Sequence, residues 1–216
     1  MAVGDQYLHE RLYRGESFEK LNEKVVTIAG CGAIGSWTAI FLGRMGVKNF
    51  RLVDKDRIEI HNISTQFFTP QNLGQYKVRA LQQELYRLCK ARCEVHPVIL
   101  DDANAGSLLS NCDLVICSFD NQKSRQIVKK TSLELGIPCL FSAMSGEHAY
   151  FEVIWAENYM PPEDNPELEF DPCSYPLATS LCALASAVTS EIAVFFLLNG
   201  IRKECRVSFG GLLSDA

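Results

Sequence analysis

The chain has 216 residues, of which 47% are hydrophobic and 22% are charged, a composition that excludes disordered, collagen-like and coiled-coil chains. Lysine and arginine total 21 against 26 aspartate and glutamate residues, giving a net charge of −5 at pH 7. This balance argues against a nucleic-acid partner, since binding to phosphate backbones needs a basic face. We expect a single domain spanning residues 1–216.

The cysteines and the apolar segments indicate the compartment. There are nine cysteines, an odd number, and the N-terminus lacks the charged-then-apolar pattern of a signal peptide, so we expect a reducing cytoplasmic location. No two cysteines have C-x-x-C spacing, so we expect no zinc site. Segment 177–199 is long enough to span a bilayer, but it contains Glu191 and several hydroxyl side chains. We interpret it as a core helix, with no membrane partner.

Short apolar strands alternate with amphipathic helices along the chain. We predict strands at 25–29, 50–53, 93–100, 113–117, 138–142 and 150–155, and helices at 32–45, 74–90, 125–135 and 177–199. The fourth strand is almost entirely apolar, as expected for a sheet that is covered on both faces. The alternation predicts an α/β fold with a doubly wound, mostly parallel, Rossmann-like sheet, helices on both faces and additional strands toward the C-terminus.

The segment from Glu157 to Pro176 is long for a connection, and it contains six acidic residues and no lysine or arginine. Loops of this length within compact domains usually carry function. We therefore expect residues 157–176 to form a functional loop.

Residues 30–35 read G-C-G-A-I-G, at the junction of a predicted strand and a predicted helix. In this pattern Gly30 and Gly32 let the backbone turn tightly and approach a ligand, while Gly35 allows the helix to pack closely on the strand. Asp54 follows the next strand, where an acid can hold ribose hydroxyls. The pattern predicts a nucleotide site without choosing between NAD and ATP. The alternative is a glycine turn kept only for packing.

Three further motifs bear on the nucleotide. Residues 54–66 read D-K-D-R-I-E-I-H-N-I-S-T-Q, residues 72–78 read N-L-G-Q-Y-K-V, and residues 113–121 read D-L-V-I-C-S-F-D-N, followed by Arg125. In order and spacing this set resembles the ubiquitin-activating-enzyme-like superfamily, which includes the ThiF and MoeB adenylyltransferases. The resemblance covers most of the chain.

The resemblance implies binding of ATP and Mg²⁺ and activation of the C-terminal carboxylate of a ubiquitin-like or sulfur-carrier protein with a Gly-Gly terminus. Asp120 is implied to bind Mg²⁺, and Arg11 to reach the γ-phosphate across a homodimer interface. Lys77 is implied to contact the phosphates, with Asn62 and Gln66 on the phosphate side. The residues implied to bind nucleotide are Gly30, Gly32, Gly35, Asp54, Asp56, Asn62, Gln66 and Lys77.

Each of the three charged residues also has a simpler interpretation. By composition alone, Lys77 is a surface lysine on an amphipathic helix, and Arg11 is a surface residue of a short segment. Asp120 could cap the helix that begins near Asn121. Their joint register with the glycine loop favours the functional interpretation.

Thr65 departs from the family pattern, which has an arginine at this position. Loss of that cation would cost several kcal/mol of transition-state stabilisation unless another group replaces it. The residues that could supply the charge are Arg57, Arg79, Arg125 and the partner's Arg11. Otherwise the chain binds nucleotide without adenylating, as a non-catalytic partner subunit of an active homologue.

Cys173 lies in the long acidic loop, where relatives often place a reactive cysteine that forms a thioester before transfer to a downstream conjugating protein. The alternative is an exposed, non-catalytic cysteine whose acidic neighbours raise its pKa. Two other activities compete with adenylation of a carrier protein. An NAD-dependent oxidoreductase would need a hydride-acceptor site, which we cannot locate, and activation of a carboxylate on modified tRNA is disfavoured by the acidic charge.

Overall fold

A computed structural model describes residues 5–145, 150–160 and 176–208. Seven strands in this part of the chain form one sheet: β1 (Val25–Ala29), β2 (Asn49–Val53), β3 (Arg92–His96), β4 (Leu114–Cys117), β5 (Cys139–Ser145), β6 (Tyr150–Trp155) and β7 (Cys205–Ser208). Their order is β3-β2-β1-β4-β5-β6-β7. The first five strands are parallel, and β6 and β7 are antiparallel to their neighbours.

Helices cover both faces of the sheet. The α-helices are α1 (Leu8–Arg14), α2 (Gly35–Arg44), α3 (Lys77–Cys89), α4 (Ala105–Leu109), α5 (Gln122–Leu135) and α6 (Thr179–Asn199). Short 3-10 helices span Gly15–Asn22, Ile60–Asn62 and Pro70–Asn72. One apolar cluster contains residues of α2, α3 and α6, and a second contains residues of α4 and α5. The predicted doubly wound, mostly parallel α/β sheet is therefore confirmed, including the additional C-terminal strands.

Several element boundaries differ from the predicted ones for local reasons. The third strand ends at His96 instead of residue 100, since Pro97 has no N–H to continue the ladder. Helix α5 begins at Gln122, three residues early, because the Asn121 side chain accepts a hydrogen bond from the Ser124 N–H at 2.9 Å. Asn121 is therefore the N-cap, and the interpretation of Asp120 as the helix cap is wrong.

The parallel register brings three strand ends to one edge of the sheet. Ala29 pairs with Val53 of β2 and with Cys117 of β4. The residues that follow these strands, Gly30, Asp54 and Ser118, therefore emerge side by side. We call this the carboxyl edge, which is where open α/β sheets bind ligands.

Helix α6 is the one helix in the described ranges that is long and apolar enough to cross a membrane, with a mean hydropathy of 2.1. It packs against α2 and against β5 and β6, with 56% of its apolar window buried. Its buried hydroxyl groups have partners within the protein: Ser186 donates to the Ile34 carbonyl at 2.9 Å, and Thr189 lies 2.8 Å from the Ser142 hydroxyl. This packing agrees with the interpretation of segment 177–199 as a core helix.

Candidate nucleotide-binding site

The glycine loop between β1 and α2 packs tightly at its first and third glycines and is open at the second. Gly30 has a φ of +98°, and a Cβ there would lie 2.9 Å from the Phe119 nitrogen. A Cβ on Gly35 would lie 1.9 Å from the Gly30 carbonyl oxygen. At Gly32, by contrast, no atom of the described residues other than Gly32 itself and its two chain neighbours lies within 4 Å of an added Cβ. Packing thus explains Gly30 and Gly35, whereas Gly32 leaves open space suited to a phosphate group.

Asp54 is buried and holds the glycine loop in place. Its Oδ2 accepts a hydrogen bond from the Cys31 N–H at 2.7 Å, and its Oδ1 accepts one from the Asp56 N–H at 2.8 Å. Burial raises the pKa of Asp54, while the charge of Lys77 and the two backbone donors oppose that rise. Each carboxylate oxygen keeps a second lone pair, so the group can also accept from ribose hydroxyls.

Lys77 is the first residue of α3, and only 9% of its side chain is exposed. Its Nζ lies 3.3 Å from Asp56 Oδ2, and its backbone N–H donates to the Asp56 carbonyl at 2.9 Å. Burial acts to raise the pKa of Asp56, but the hydrogen bond from Lys55 and the charge of Lys77 outweigh it, so this pKa is lowered. The interpretation of Lys77 as a surface lysine is therefore wrong. A buried ammonium beside a glycine loop is suited to bind phosphate.

Asn62 and Gln66 lie on the segment that leads from Asp56 toward α3. Asn62 is buried, and its Oδ1 accepts from the Glu59 N–H at 3.0 Å, which caps a 3-10 helix. Gln66 Oε1 is buried and has no hydrogen-bond partner within the described ranges. Its neighbour Phe67 donates to Ser36 Oγ at 3.0 Å, in the first turn of α2. Asn62 thus has a structural role, and Gln66 keeps an acceptor available near the glycine loop.

Asp120 follows β4 at the carboxyl edge and is exposed. It comes soon after Ser118, whose N–H donates to the Ala29 carbonyl and whose Oγ donates to the Gly30 carbonyl, both at 2.8 Å. No group of three or more potential ligand side chains occurs within the described ranges. Mg²⁺ commonly takes one or two carboxylates together with substrate phosphates and water. A single exposed carboxylate therefore fits a magnesium ion carried in with a nucleotide.

The arginines considered as replacements for the cation at Thr65 have other contacts within the chain. Arg57 donates to the Gly74 carbonyl at 2.7 Å. Arg125 donates through Nε to the Phe119 carbonyl and through Nη1 to the Tyr159 hydroxyl at 3.0 Å. Arg79 is exposed, and its Nη1 lies 3.5 Å from Gln82 Oε1.

Arg11 lies apart from the glycine loop in its own chain. Its Nε pairs with Asp5 Oδ2 at 2.9 Å, its Nη1 pairs with Glu19, and its guanidinium lies over the Phe18 ring. All these partners belong to the N-terminal segment. The prediction that Arg11 acts across a dimer interface stays a prediction.

Cys173 lies outside the described residues, as does most of the loop 157–176, so their predicted roles stay predictions. Among the described cysteines, burial raises the pKa of Cys31 and Cys139 well above the usual thiol value and that of Cys117 to about 11. These thiols are poor nucleophiles at neutral pH.

The structure adds contacts that the sequence motifs did not predict. Ser118 connects the β4 end to the glycine loop, Lys55 contacts the same carboxylate as Lys77, and Arg125, considered above only as a replacement cation, contacts Tyr159. Ser118 and Lys55 fall within the quoted motifs, which could have drawn attention to them. The role of Tyr159 depends on a contact 34 residues away and has no local signal.

Two curated relatives match parts of this chain. Sulfur carrier protein adenylyltransferase of Thermus thermophilus is 32% identical over 131 residues, which cover 60% of this chain and 48% of that protein. Ubiquitin-like modifier-activating enzyme 5 of Xenopus laevis is 31% identical over 143 residues, covering 60% of this chain and 36% of that protein. The chain thus spans less than half the length of either curated relative.

Solved structures and a family model complete the comparison. E. coli MccB, solved with ATP, superimposes with a TM-score of 0.75 at 19% identity, covering 93% of this chain and 66% of that one. E. coli tRNA N6-threonylcarbamoyladenosine dehydratase, TcdA, gives a TM-score of 0.76 at 16% identity, covering 93% of this chain and 98% of that one. At these identities the likeness establishes the fold. The model of the ThiF family matches residues 5–200, and the chain therefore belongs to the ThiF family.

Proposed function

We propose that this chain is an ATP-dependent adenylyltransferase that activates the C-terminal carboxylate of a ubiquitin-like or sulfur-carrier protein. The observation that carries the proposal is the buried Lys77, paired with Asp56 at the carboxyl edge beside a glycine loop that is open at Gly32. Relatives named as a sulfur carrier protein adenylyltransferase and a ubiquitin-like modifier-activating enzyme support it. An NAD-dependent oxidoreductase is not favoured by these relatives.

The reaction requires little covalent chemistry from the protein. A carboxylate oxygen of the carrier attacks the α-phosphorus of ATP and forms a new P–O bond. The bond between the α-phosphorus and the oxygen that bridges to the β-phosphate breaks. The products are an acyl-adenylate and pyrophosphate, which leaves with the bond's electron pair. A terminal carboxyl group with a pKa of about 3.5 is already ionised at neutral pH, so no general base is needed. Catalysis then depends on positioning and on charge stabilisation at the phosphates.

The residues of this chain divide that task. The glycine loop approaches the phosphates, Asp54 accepts from the ribose hydroxyls, and Lys77 neutralises phosphate oxygens. Asp120 holds Mg²⁺, which relieves charge on the triphosphate when bound. Gln66 Oε1 is a buried acceptor without a partner among the described residues, and it accepts a hydrogen bond from the bound nucleotide or from a water molecule beside it. A carrier protein that ends in Gly-Gly suits this site, because a backbone without side chains can approach the α-phosphate closely.

We also propose that the enzyme is a homodimer. Leu12 and Tyr13 on α1 are exposed apolar side chains beside a groove that Phe41 and Met45 help to line. Pairing of two copies over this surface would bury these side chains and bring Arg11 toward the partner's nucleotide. Sedimentation velocity should give a dimer for the wild type and a monomer for Tyr13→Asp. A wild-type monomer at micromolar concentration would contradict this part of the proposal.

A thioester at Cys173 is the proposed second step. The thiolate would attack the acyl-adenylate carbonyl carbon, release AMP and keep the acyl group for a downstream conjugating protein. Cys173→Ala should spare adenylation and abolish any conjugate that dithiothreitol cleaves. We propose a reducing, cytoplasmic setting for this chemistry, because the eight cysteines of the described ranges are free thiols.

The decisive test is ATP–pyrophosphate exchange by the purified chain with a carrier protein that ends in Gly-Gly. Asp120→Ala should abolish exchange and leave the fold intact. Asp102→Ala is the matched control, since Asp102 is an exposed acid paired with Lys130 at 3.8 Å. Tight binding of NADH in place of Mg·ATP would overturn the proposal. Binding of ATP without exchange would identify a non-catalytic partner subunit instead.

A further inference from the structure

Two lysines contact opposite oxygens of a single carboxylate at the carboxyl edge. Lys77 Nζ lies 3.3 Å from Asp56 Oδ2, and Lys55 Nζ lies 2.6 Å from Asp56 Oδ1. Lys55 directly follows Asp54, the acid that holds the glycine loop through the Cys31 N–H. The two ammonium groups are therefore held close together, and the charge of each interacts with Asp54.

The two amines differ in exposure. Lys77 is 9% exposed and fixed at the start of α3, whereas 57% of the Lys55 side chain is exposed. Lys55 also interacts with the charges of Asp54 and Asp120, which lie after β2 and β4. Lys55 is therefore a flexible, exposed cation that interacts both with Asp54, proposed to bind ribose, and with Asp120, proposed to bind Mg²⁺.

Charge at this edge is short of what a triphosphate requires. Three carboxylates, Asp54, Asp56 and Asp120, face two ammonium groups, Lys55 and Lys77. Position 65 is threonine, and its carbonyl accepts a hydrogen bond from Trp37 Nε1 at 3.0 Å. Arg57 donates to the Gly74 carbonyl, and Arg125 donates to the Phe119 carbonyl and the Tyr159 hydroxyl. Lys55 shares the Asp56 carboxylate with Lys77 and is therefore a cation placed beside it.

We propose that Lys55 is a second phosphate-binding residue, which supplies the positive charge that Thr65 does not. In this structure Asp56 holds both amines. When a triphosphate enters, the Lys55 ammonium exchanges Asp56 for a non-bridging phosphate oxygen, and Asp56 keeps Lys77 in position. This inference rests on the proposed function, since it assumes a triphosphate at the glycine loop. The two lysines then have different roles: the exposed Lys55 can move from one anionic partner to another, while the buried Lys77 stays in place.

The test is titration calorimetry of the 216-residue chain with Mg²⁺ and AMPCPP, an ATP analogue that cannot release pyrophosphate. Lys55→Met should weaken binding about tenfold and reduce the dependence of affinity on salt. Lys130→Met is the matched control, because Lys130 is 64% exposed and also pairs with one aspartate. It should stay within about twofold of the wild type. Lys55→Arg should recover most of the lost affinity.

Thermal unfolding of each variant separates binding from folding. Lys55→Met should unfold at the wild-type temperature, since an exposed pair adds little stability. Equal affinities for Lys55→Met and Lys130→Met, with Lys77→Met weakened, would overturn this inference and leave the proposed function standing. Failure of the wild type to bind Mg²⁺ and AMPCPP would overturn the proposed function, and this inference with it.

Discussion

Arg125 donates a hydrogen bond from Nη1 to the Tyr159 hydroxyl at 3.0 Å, which joins the first turn of α5 to the chain beyond β6. The same guanidinium donates from Nε to the carbonyl of Phe119, the residue before Asp120. Tyr159 is fully buried and stacks on Phe141, with ring centroids 4.1 Å apart and an interplanar angle of 7°. The position of Asp120 is therefore coupled to a tyrosine held in the core.

Tyr159→Phe should keep the ring stack and lose the acceptor for Arg125. We expect a loss of about 1 kcal/mol in the free energy of unfolding, measured by urea denaturation. We also expect pyrophosphate exchange to require a higher Mg²⁺ concentration, because Asp120 is held less firmly. Tyr150→Phe, which removes a hydroxyl hydrogen-bonded to Glu152 at 3.0 Å, is the control. An unchanged Mg²⁺ requirement in Tyr159→Phe would show that the contact is only structural.

The three glycines of the loop should respond differently to alanine. Gly35→Ala would force a Cβ against the Gly30 carbonyl and the Ser118 hydroxyl, so we expect a loss of about 1–3 kcal/mol of stability. Gly32→Ala should unfold at the wild-type temperature but bind Mg·ATP weakly, because its Cβ enters the space proposed for phosphate. Calorimetry and thermal unfolding measure the two effects. Full nucleotide affinity in Gly32→Ala would mean that phosphate binds elsewhere.

Asp54→Asn should damage both folding and binding. An amide has one acceptor oxygen, so its NH₂ group would face either the Cys31 or the Asp56 N–H, at a cost of about 1–3 kcal/mol. Asp113→Asn is a matched control, since Asp113 accepts from the Val25 N–H at 2.8 Å and from Lys24 at 2.9 Å. Both variants should lose stability in urea denaturation, and only Asp54→Asn should lose nucleotide affinity.

The lowered pKa of Asp56 predicts a specific pH dependence. A carboxyl group whose pKa is lower in the folded state stabilises the fold above its unfolded pKa of about 3.9. That contribution disappears as the pH falls through the folded pKa. The difference in unfolding free energy between the wild type and Asp56→Asn should therefore be constant from about pH 5 to 8 and shrink below about pH 4. A difference that stays constant at lower pH would contradict the assigned direction of the shift.

Alkylation should distinguish the cysteines. Burial raises the pKa of Cys31, Cys117 and Cys139, so iodoacetamide should leave them unmodified in the native protein and label them in urea. If Cys173 forms the thioester, iodoacetamide should label it before the other cysteines at neutral pH. Peptide mass mapping over time gives the order. Labelling of Cys173 at the same slow rate as the buried thiols would argue against the thioester step.

Strong local patterns explain the correct part of the fold prediction. Strands β1 and β6 match their predicted bounds, Val25–Ala29 and Tyr150–Trp155, because each is a short run rich in β-branched or aromatic residues. Helices α1 and α4 have only 7 and 5 residues, too short for a periodic pattern, and were not predicted. Strand β7 has four residues and depends on pairing with β6.

The candidate site, like the fold, was only partly predictable from the sequence. Gly30, Gly35 and Asp54 have a sequence signature because the strand–turn–helix connection requires them. Burial of Lys77 was not predictable from its amphipathic helix, because it depends on how the segment after Asp54 returns to the sheet. The bridge formed by Asp56 and the contact between Arg125 and Tyr159 likewise depend on tertiary structure.

The hydroxyl of Ser186 reaches across 152 positions of sequence to the carbonyl of Ile34, at the last residue before α2, and Ser190 approaches the Thr38 carbonyl at 3.4 Å in the same manner. The middle of α6 is thus fastened to the backbone that would surround a bound phosphate. Amide hydrogen exchange in that turn of α6 should therefore slow when a nucleotide binds at the glycine loop. Exchange in α6, which has no proposed contact with the nucleotide, would then measure how much of the protein is bound.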